Sequence, residues 1–291
     1  MFNLHLWVLG EDKMKVELMS HTLAPEAVVA SAAKLCYSKS GIDNVRTKLT
    51  QEEINRFLKH LNKIGHESPF EHASFTFAIE GISRVCSHQI VRHRIASYSQ
   101  QSQRYVKLDQ FEYIMPPSIE KNPYTKYRFE NHMERTQELY DDLRRKLIID
   151  KFKEEYPSTY AENEDSWFKT GMLGQANYHH DIVEYLRAAY PVTIRDLEKQ
   201  AIEDARYVFP NACETKMVVT MNARSLFNFF NERLCNRAQW EIRQVAEAML
   251  LEVKQVAPVI FDKVAPNCVY GKCGEGNLSC GKAKEMKDKY L

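Results

Sequence analysis

The sequence predicts a mixed protein of the α+β kind, and two observations lead there. Short stretches in which apolar and polar residues alternate (Lys13–Met19, Ala73–Ile79, Lys216–Met221) have the two-residue period of a strand with one buried face. Longer stretches (Ala24–Leu35, Thr50–Ile64, Ala238–Val256) read as helices, the last two with an apolar stripe. Composition agrees: 44% of the 291 residues are hydrophobic and 27% are charged, the balance of a folded globular chain. That length suits one large domain or two small ones.

The net charge is +1, so no global basic field points to a nucleic-acid polymer. Anion binding must come from local clusters. Seven cysteines, an odd and scattered set, argue against a secreted disulfide framework and for a reducing, cytoplasmic setting. No apolar run approaches membrane-spanning length. Met1–Gly10 lacks the basic start and small-residue cleavage site of a signal peptide. Residues 1–13 read as an N-terminal extension, 14–265 as a single domain with an expanded helical region at about 110–190, and 266–291 as a cysteine-containing tail.

Local signals place the elements in order. Pro25 sits just inside a helix start. Thr50 and Glu53 match a capping box, and Gly65 suits the stop of the helix that follows. Gly65–His72 packs two histidines and two carboxylates before a strand. A metal there lacks a further imidazole or thiolate at ligand spacing, so a ligand-contacting loop or a plain turn is the better reading. Ile82–Arg94 reads as a helix that brings Val85, Gln89, Arg92 and His93 towards one face. Ile95–Gln101 reads as a loop and Ser102–Leu108 as a strand. Tyr124–Phe152 is a charged helix, interrupted by Pro157. His179-His180-Asp181 reads as the first turn of a helix rather than a metal site. Thr193–Phe209 is a helix with Arg206 in its last turn, and Asn222 opens another that carries Arg224, Asn228 and Arg233. Cys235 reads as a packing residue. In the tail, Cys268, Cys273 and Cys280 lack a fourth ligand, so no metal is assigned. Gly271–Gly276 is no dinucleotide fingerprint, because no strand leads into it and no helix follows.

The chain is organised around Gln89–Tyr105. Arg92, His93 and Arg94 form a compact basic cluster, followed by Ser97, Ser99, Gln100, Gln101, Ser102, Gln103 and Arg104. Guanidinium forks match phosphate oxygens, and hydroxyls and amides can read a uracil-like ring. The segment holds the parts for gripping an anionic nucleotide. The alternatives are a solvated basic turn, or a non-redox nucleotide or RNA-phosphate binding module that uses the same arginines.

Arg92-His93-Arg94, seven residues and then Ser102 resembles the signature of the flavin-dependent thymidylate synthases, the ThyX family. Gly65–His72 and Asn222–Arg233 resemble two further blocks of that family, in its order. The resemblance covers about 15–109 and 193–262. It implies a small antiparallel sheet flanked by long helices, and a homotetramer with active sites at subunit interfaces. It also implies reductive methylation of deoxyuridine monophosphate (dUMP) to thymidylate (dTMP). Methylenetetrahydrofolate would supply the carbon, FAD would carry the hydride and NADPH would reduce the flavin.

Carried over residue by residue, the resemblance assigns FAD contacts to Ser68, Arg92, His93, Arg94, Gln100, Asn222, Arg224 and Asn228. It assigns dUMP contacts to Gln89, Ile90, Val91, Arg92, Gln100, Gln101, Ser102, Gln103, Arg104, Arg206 and Arg233. His66 matches a histidine near the flavin. Cys36 stands where a compact member has serine, and Ser38 is the neighbouring hydroxyl. Arg233 takes the catalytic role, stabilising negative charge on the base after N3 loses its proton. Ser102 is expected to bind rather than attack, since it has no evident general base.

Overall fold

In a computed structural model, the residues described are 14–39, 41, 43–44, 49–102, 111–169 and 178–291. In chain order the elements begin with β1 (Lys15–His21), α1 (Pro25–Leu35), α2 (Gln51–Ile64), β2 (Ser74–Ser83), α3 (Arg84–Ile90) and β3 (Ala96–Gln100). Next come α4 (Pro117–Glu120), α5 (Pro123–Glu155), α6 (Pro157–Lys169), α7 (Tyr178–Ala189) and α8 (Pro191–Ala205). The chain continues with β4 (Glu214–Asn222), α9 (Ala223–Arg233), α10 (Trp240–Val256), α11 (Asn267–Tyr270) and α12 (Ala283–Tyr290). Residues 1–100 with 215–291 form one compact unit, and 101–214 form another. No described helix is long and apolar enough to cross a membrane.

The first unit is built on a four-stranded sheet in the order β1-β2-β4-β3. The β1–β2 and β3–β4 pairs run antiparallel. Alternation along β2 buries Phe75, Phe77 and Ile79, and alternation along β4 buries Met217, Val219 and Met221. These side chains meet Leu226, Phe229 and Phe230 of α9 and Ile242, Val245 and Met249 of α10 in one apolar core. Local signals act as expected around α2. Thr50 Oγ1 accepts from the Glu53 amide, Glu53 accepts from the Thr50 amide at 2.9 Å, and Gly65 ends the helix at φ 69°.

Two expectations about this unit are corrected. Ala96–Gln100 is a strand rather than a loop, because its backbone pairs with Met217–Met221 of β4. The helix expected over Ile82–Arg94 covers only Arg84–Ile90, since β2 runs on to Ser83. A backbone turn follows, the Arg92 and His93 amides donating to the Gln89 and Ile90 carbonyls at 3.3 and 3.1 Å, and side chains reinforce it. The Tyr98 hydroxyl lies 2.9 Å from the Ile90 carbonyl and 2.8 Å from that of His93. Arg94 donates to the carbonyls of Val91 and His93. The strand expected over Ser102–Leu108 falls, from 103 onward, outside the described residues, as does the extension 1–13.

The start of α3 depends on a distant carboxylate. Glu241 of α10 is 3% exposed. It accepts from both the amide and the hydroxyl of Ser83, each at 2.6 Å. The Ser83 hydroxyl in turn accepts from the Cys86 amide at 3.1 Å, capping the helix. Burial raises the Glu241 carboxyl above the usual range, and the Ser83 hydrogen bonds oppose that shift. Glu241→Ala strands two buried donors and is expected to cost about 2–3 kcal/mol in denaturant unfolding. A loss below about 0.5 kcal/mol, the range of ordinary surface substitutions, would remove Glu241 from this role.

The second unit is helical. A proline opens each of α4, α5, α6 and α8, where the missing N–H costs nothing. Ile148, Phe152, Trp167, Leu186, Ile194 and Leu197 form its core. Arg144, nearly buried, pairs with Glu198 at 2.6 Å. His179-His180-Asp181 does form the first turn of α7. The helix expected to reach Phe209 ends at Ala205, and Arg206 starts a short 3-10 turn.

Candidate active site

α9 is the element that positions most of the candidate residues. Asn222 caps it, accepting from the Ser225 amide at 2.8 Å. The Ser225 hydroxyl accepts from the Ile95 amide at 3.2 Å and so ties the start of α9 to the Arg92–Arg94 turn. Arg224, Asn228 and Asn231 recur at helical spacing and share one face. That face lines a cleft of about 770 Å³ with Phe227 and Glu67. The opposite wall comes from Ile260 to Lys272, including Lys263, Asn267, Tyr270 and Lys272. Asn62 of α2 donates to the carbonyls of Val259 and Ile260 and anchors the start of that wall.

Arg233 emerges elsewhere. It lies nine residues after Arg224, about two and a half turns, so the two arginines leave opposite sides of α9. The Arg233 Nε donates to His93 Nε2 at 2.9 Å. The His93 ring is buried and packs edge-on against Phe229, 4.8 Å between centroids. Arginine only donates, so His93 must accept with Nε2 and carry its proton on Nδ1. Burial, and then the Arg233 charge, hold its pKa below the usual imidazole value. A neutral histidine therefore fixes the direction of the cation.

This gives a pH prediction. A depressed histidine contributes stability that is present above its unfolded value, about 6.5, and lost as pH falls through the lower folded value. The wild type should therefore lose more unfolding free energy on acidification than His93→Asn. Parallel stability curves from neutral pH down to about 5 would exclude the linkage.

The other expected residues separate into groups. Arg92 is exposed, and its guanidinium has no hydrogen-bond or ion-pair partner among the described residues. Arg94 braces its own turn and lies 5.7 Å from the Tyr98 ring centroid. Gln100 spends its amide nitrogen on Ser87 and Thr215, at 3.0 and 3.1 Å. Ser68 contacts His66 Nε2 at 3.2 Å. Gln89 leans back on its own helix, Ile90 is buried in the core and Val91 is half-buried. Gln101, Ser102 and Arg206 belong to the second unit, where Arg206 lies 5.9 Å from the Tyr207 ring centroid. Gln103 and Arg104 lie outside the described residues. Arg92 and Arg233 are not among the residues that line the cleft, so one chain does not gather Arg92, Arg224 and Arg233 in that cavity.

Sequence reasoning missed three features. Glu67 and Glu71 both pair with Arg224, which gives the His66–His72 loop its purpose as a support for that arginine. Asn231 extends the Arg224–Asn228 stripe by one turn, and that spacing was legible. The tail contributes a cleft wall, which no local signal announced.

The cleft fits an elongated anionic dinucleotide. Its volume is in the range of cofactor pockets, about 300–1,000 Å³. Arg224, Lys263 and Lys272 supply positive charge, the asparagines supply amide donors, and Phe227 and Tyr270 supply apolar rings.

Comparison with known proteins gives the family of the chain. The family model described as "Thymidylate synthase complementing protein" matches residues 17–259. A flavin-dependent thymidylate synthase from Clostridium tetani is 51% identical over 278 residues, covering 96% of this chain and 97% of that protein. One from Geobacter sulfurreducens is 44% identical over 276 residues, covering 94% and 97%. One from Sulfurisphaera tokodaii is 42% identical, covering 88% of this chain and 79% of that protein. The crystal structure of the UMP/dUMP methylase PolB from Streptomyces cacaoi, bound with 5-Br dUMP, is similar with a TM-score of 0.55. It covers 86% of this chain and 93% of that one at 18% identity, a likeness of fold alone. With a family match over most of its length and relatives this similar along nearly all of it, the chain belongs to the flavin-dependent thymidylate synthases.

Proposed function

We propose that the protein methylates dUMP to dTMP in the cytoplasm, with methylenetetrahydrofolate as carbon donor and NADPH as reductant, as a homotetramer. The observation that carries the reading is α9, which presents Arg224 and Asn228 on a cationic cleft and Arg233 on the other side. A helix with two functional faces suits a site shared between copies of the chain. FAD, when bound, supplies the hydride for the reaction.

In this reading Arg224, Asn228 and Ser68 hold the dinucleotide, with Glu67 and Glu71 keeping the Arg224 fork extended. Asn222 acts through the cap that sets the start of α9. Arg92 and Arg94 present cations from the turn after α3, with Gln100 beside them on β3. Gln89, the backbone of Ile90 and Val91, and Gln101–Gln103 hold the nucleotide, and Arg104 and Arg206 neutralise its phosphate. Arg233 keeps its charge beside the uracil oxygens after N3 loses its proton, and His93 holds it there. A cation fixed in this way stabilises the anionic ring without reorganising during the reaction.

The purified protein is expected to be yellow, to bleach with NADPH, and to change its flavin spectrum when dUMP is added. A colourless protein that binds dUMP unchanged would favour the non-redox nucleotide-binding module instead.

A further inference from the structure

We propose that Tyr98 is a positioning residue: its hydroxyl locks the main chain of the Arg92–Arg94 turn and, through His93, sets the direction of the Arg233 guanidinium. The turn joins α3 to β3 and sends its side chains different ways. Arg92 and Arg94 are exposed, while His93 between them is buried. Opposite directions on so short a connection need fixed peptide planes, and the His93 carbonyl is where the plane is fixed. It accepts from the Tyr98 hydroxyl at 2.8 Å and from the Arg94 guanidinium at 3.1 Å. The same hydroxyl lies 2.9 Å from the carbonyl of Ile90, the last residue of α3. One phenol O–H therefore stands between the end of the helix and the residue that aims Arg233, shared by their two carbonyls.

Tyr98 can anchor the turn because it is itself anchored. β3 pairs with β4 along its length, and Tyr98 stands opposite Val219, which is fully buried. Alternation puts Tyr98 on the half-buried face with Ala96 and Gln100 and leaves Ser97 and Ser99 exposed. Gln100 ties that face to α3, donating to the Ser87 hydroxyl at 3.0 Å. The Tyr98 ring packs on the apolar core of the first unit, and Arg94 lies over its outer side. Burial pushes the phenol above its ordinary pKa, so the hydroxyl is a donor at neutral pH.

From the His93 main chain the geometry runs to its ring. The ring lies edge-on to Phe229, and its Nε2 accepts from Arg233 Nε at 2.9 Å. A peptide plane that turns at His93 carries the ring with it, and a displaced ring no longer aims the guanidinium. Tyr98 thus supplies the preorganisation of that charge rather than the charge itself. Only this last step rests on the ionising role proposed for Arg233; the hold of Tyr98 on His93 does not.

The test is Tyr98→Phe in the full chain, assayed with FAD in excess. Phenylalanine keeps the ring and removes only the hydroxyl. kcat should fall about tenfold, the effect of losing about one hydrogen bond, with KM for dUMP little changed. Added to Arg233→Ala, the same substitution should cause no further loss, since the residue it serves is gone. Unchanged kcat in Tyr98→Phe overturns the proposal. So does an equal loss in both backgrounds, the mark of a general structural role. Acid stability gives a readout without activity. A loosened His93 titrates nearer its ordinary value, so Tyr98→Phe should lose less unfolding free energy than wild type from neutral pH down to about 5. A curve parallel to wild type overturns the hold on His93. If wild type does not methylate dUMP, or Arg233→Ala turns over normally, the functional reading fails instead, and the acid curve alone decides the role of Tyr98.

Discussion

Arg233→Ala is expected to abolish most turnover while the protein stays yellow. Arg233 lies outside the cleft that fits the dinucleotide, so flavin content should be unchanged. Its guanidinium is aimed by a neutral, buried His93, and that cost of orientation is met in the fold before substrate arrives. Removing one preorganised charge from a reacting anion costs about 10²–10³-fold in kcat. The loss should appear in kcat more than in KM, because the charge it stabilises develops during the reaction. Arg233→Lys should recover little, since a lysine has no Nε–H fork to share between His93 and a base. Normal turnover in Arg233→Ala would end the assignment of the ionising role.

Arg224→Ala and Arg233→Ala are each expected to be nearly inactive alone, and to regain activity when mixed. Arg224 should fail at flavin retention, because it is the cation at the centre of the Glu67–Glu71 support. Arg233 should fail at turnover. The two leave opposite sides of one helix, so no single cleft of one chain takes both. If each site draws them from different copies, oligomers formed by co-expression restore both in about a quarter of sites. Recovery well above the sum of the separate variants, in a purified mixed oligomer, is the expected outcome. No recovery in a verified mixed oligomer would place both arginines in a site built from one chain.

The parts of the fold legible beforehand were those with complete local signals. Thr50 and Glu53 close a helix start within four residues, and Gly65 closes its end. The spacing from Arg92 to Ser102 marked the functional segment without any partner in view. Asn222 was identified as a helix start, but its side chain serves the cap rather than standing free. Ser83 did not look like a helix boundary, because the carboxylate that makes it one is Glu241, 158 positions away.

By itself the sequence determined the helix periods, the caps, the proline starts and the run of cations that belongs to one family. Those features depend on neighbours a few bonds apart. Only the tertiary structure decided that Ala96–Gln100 would be a strand and that His93 would turn inward to aim Arg233. Each of those outcomes needs a hydrogen-bond partner or a burial site supplied from far along the chain. Local propensity cannot specify such partners, because burial and pairing exist only once distant segments have come together.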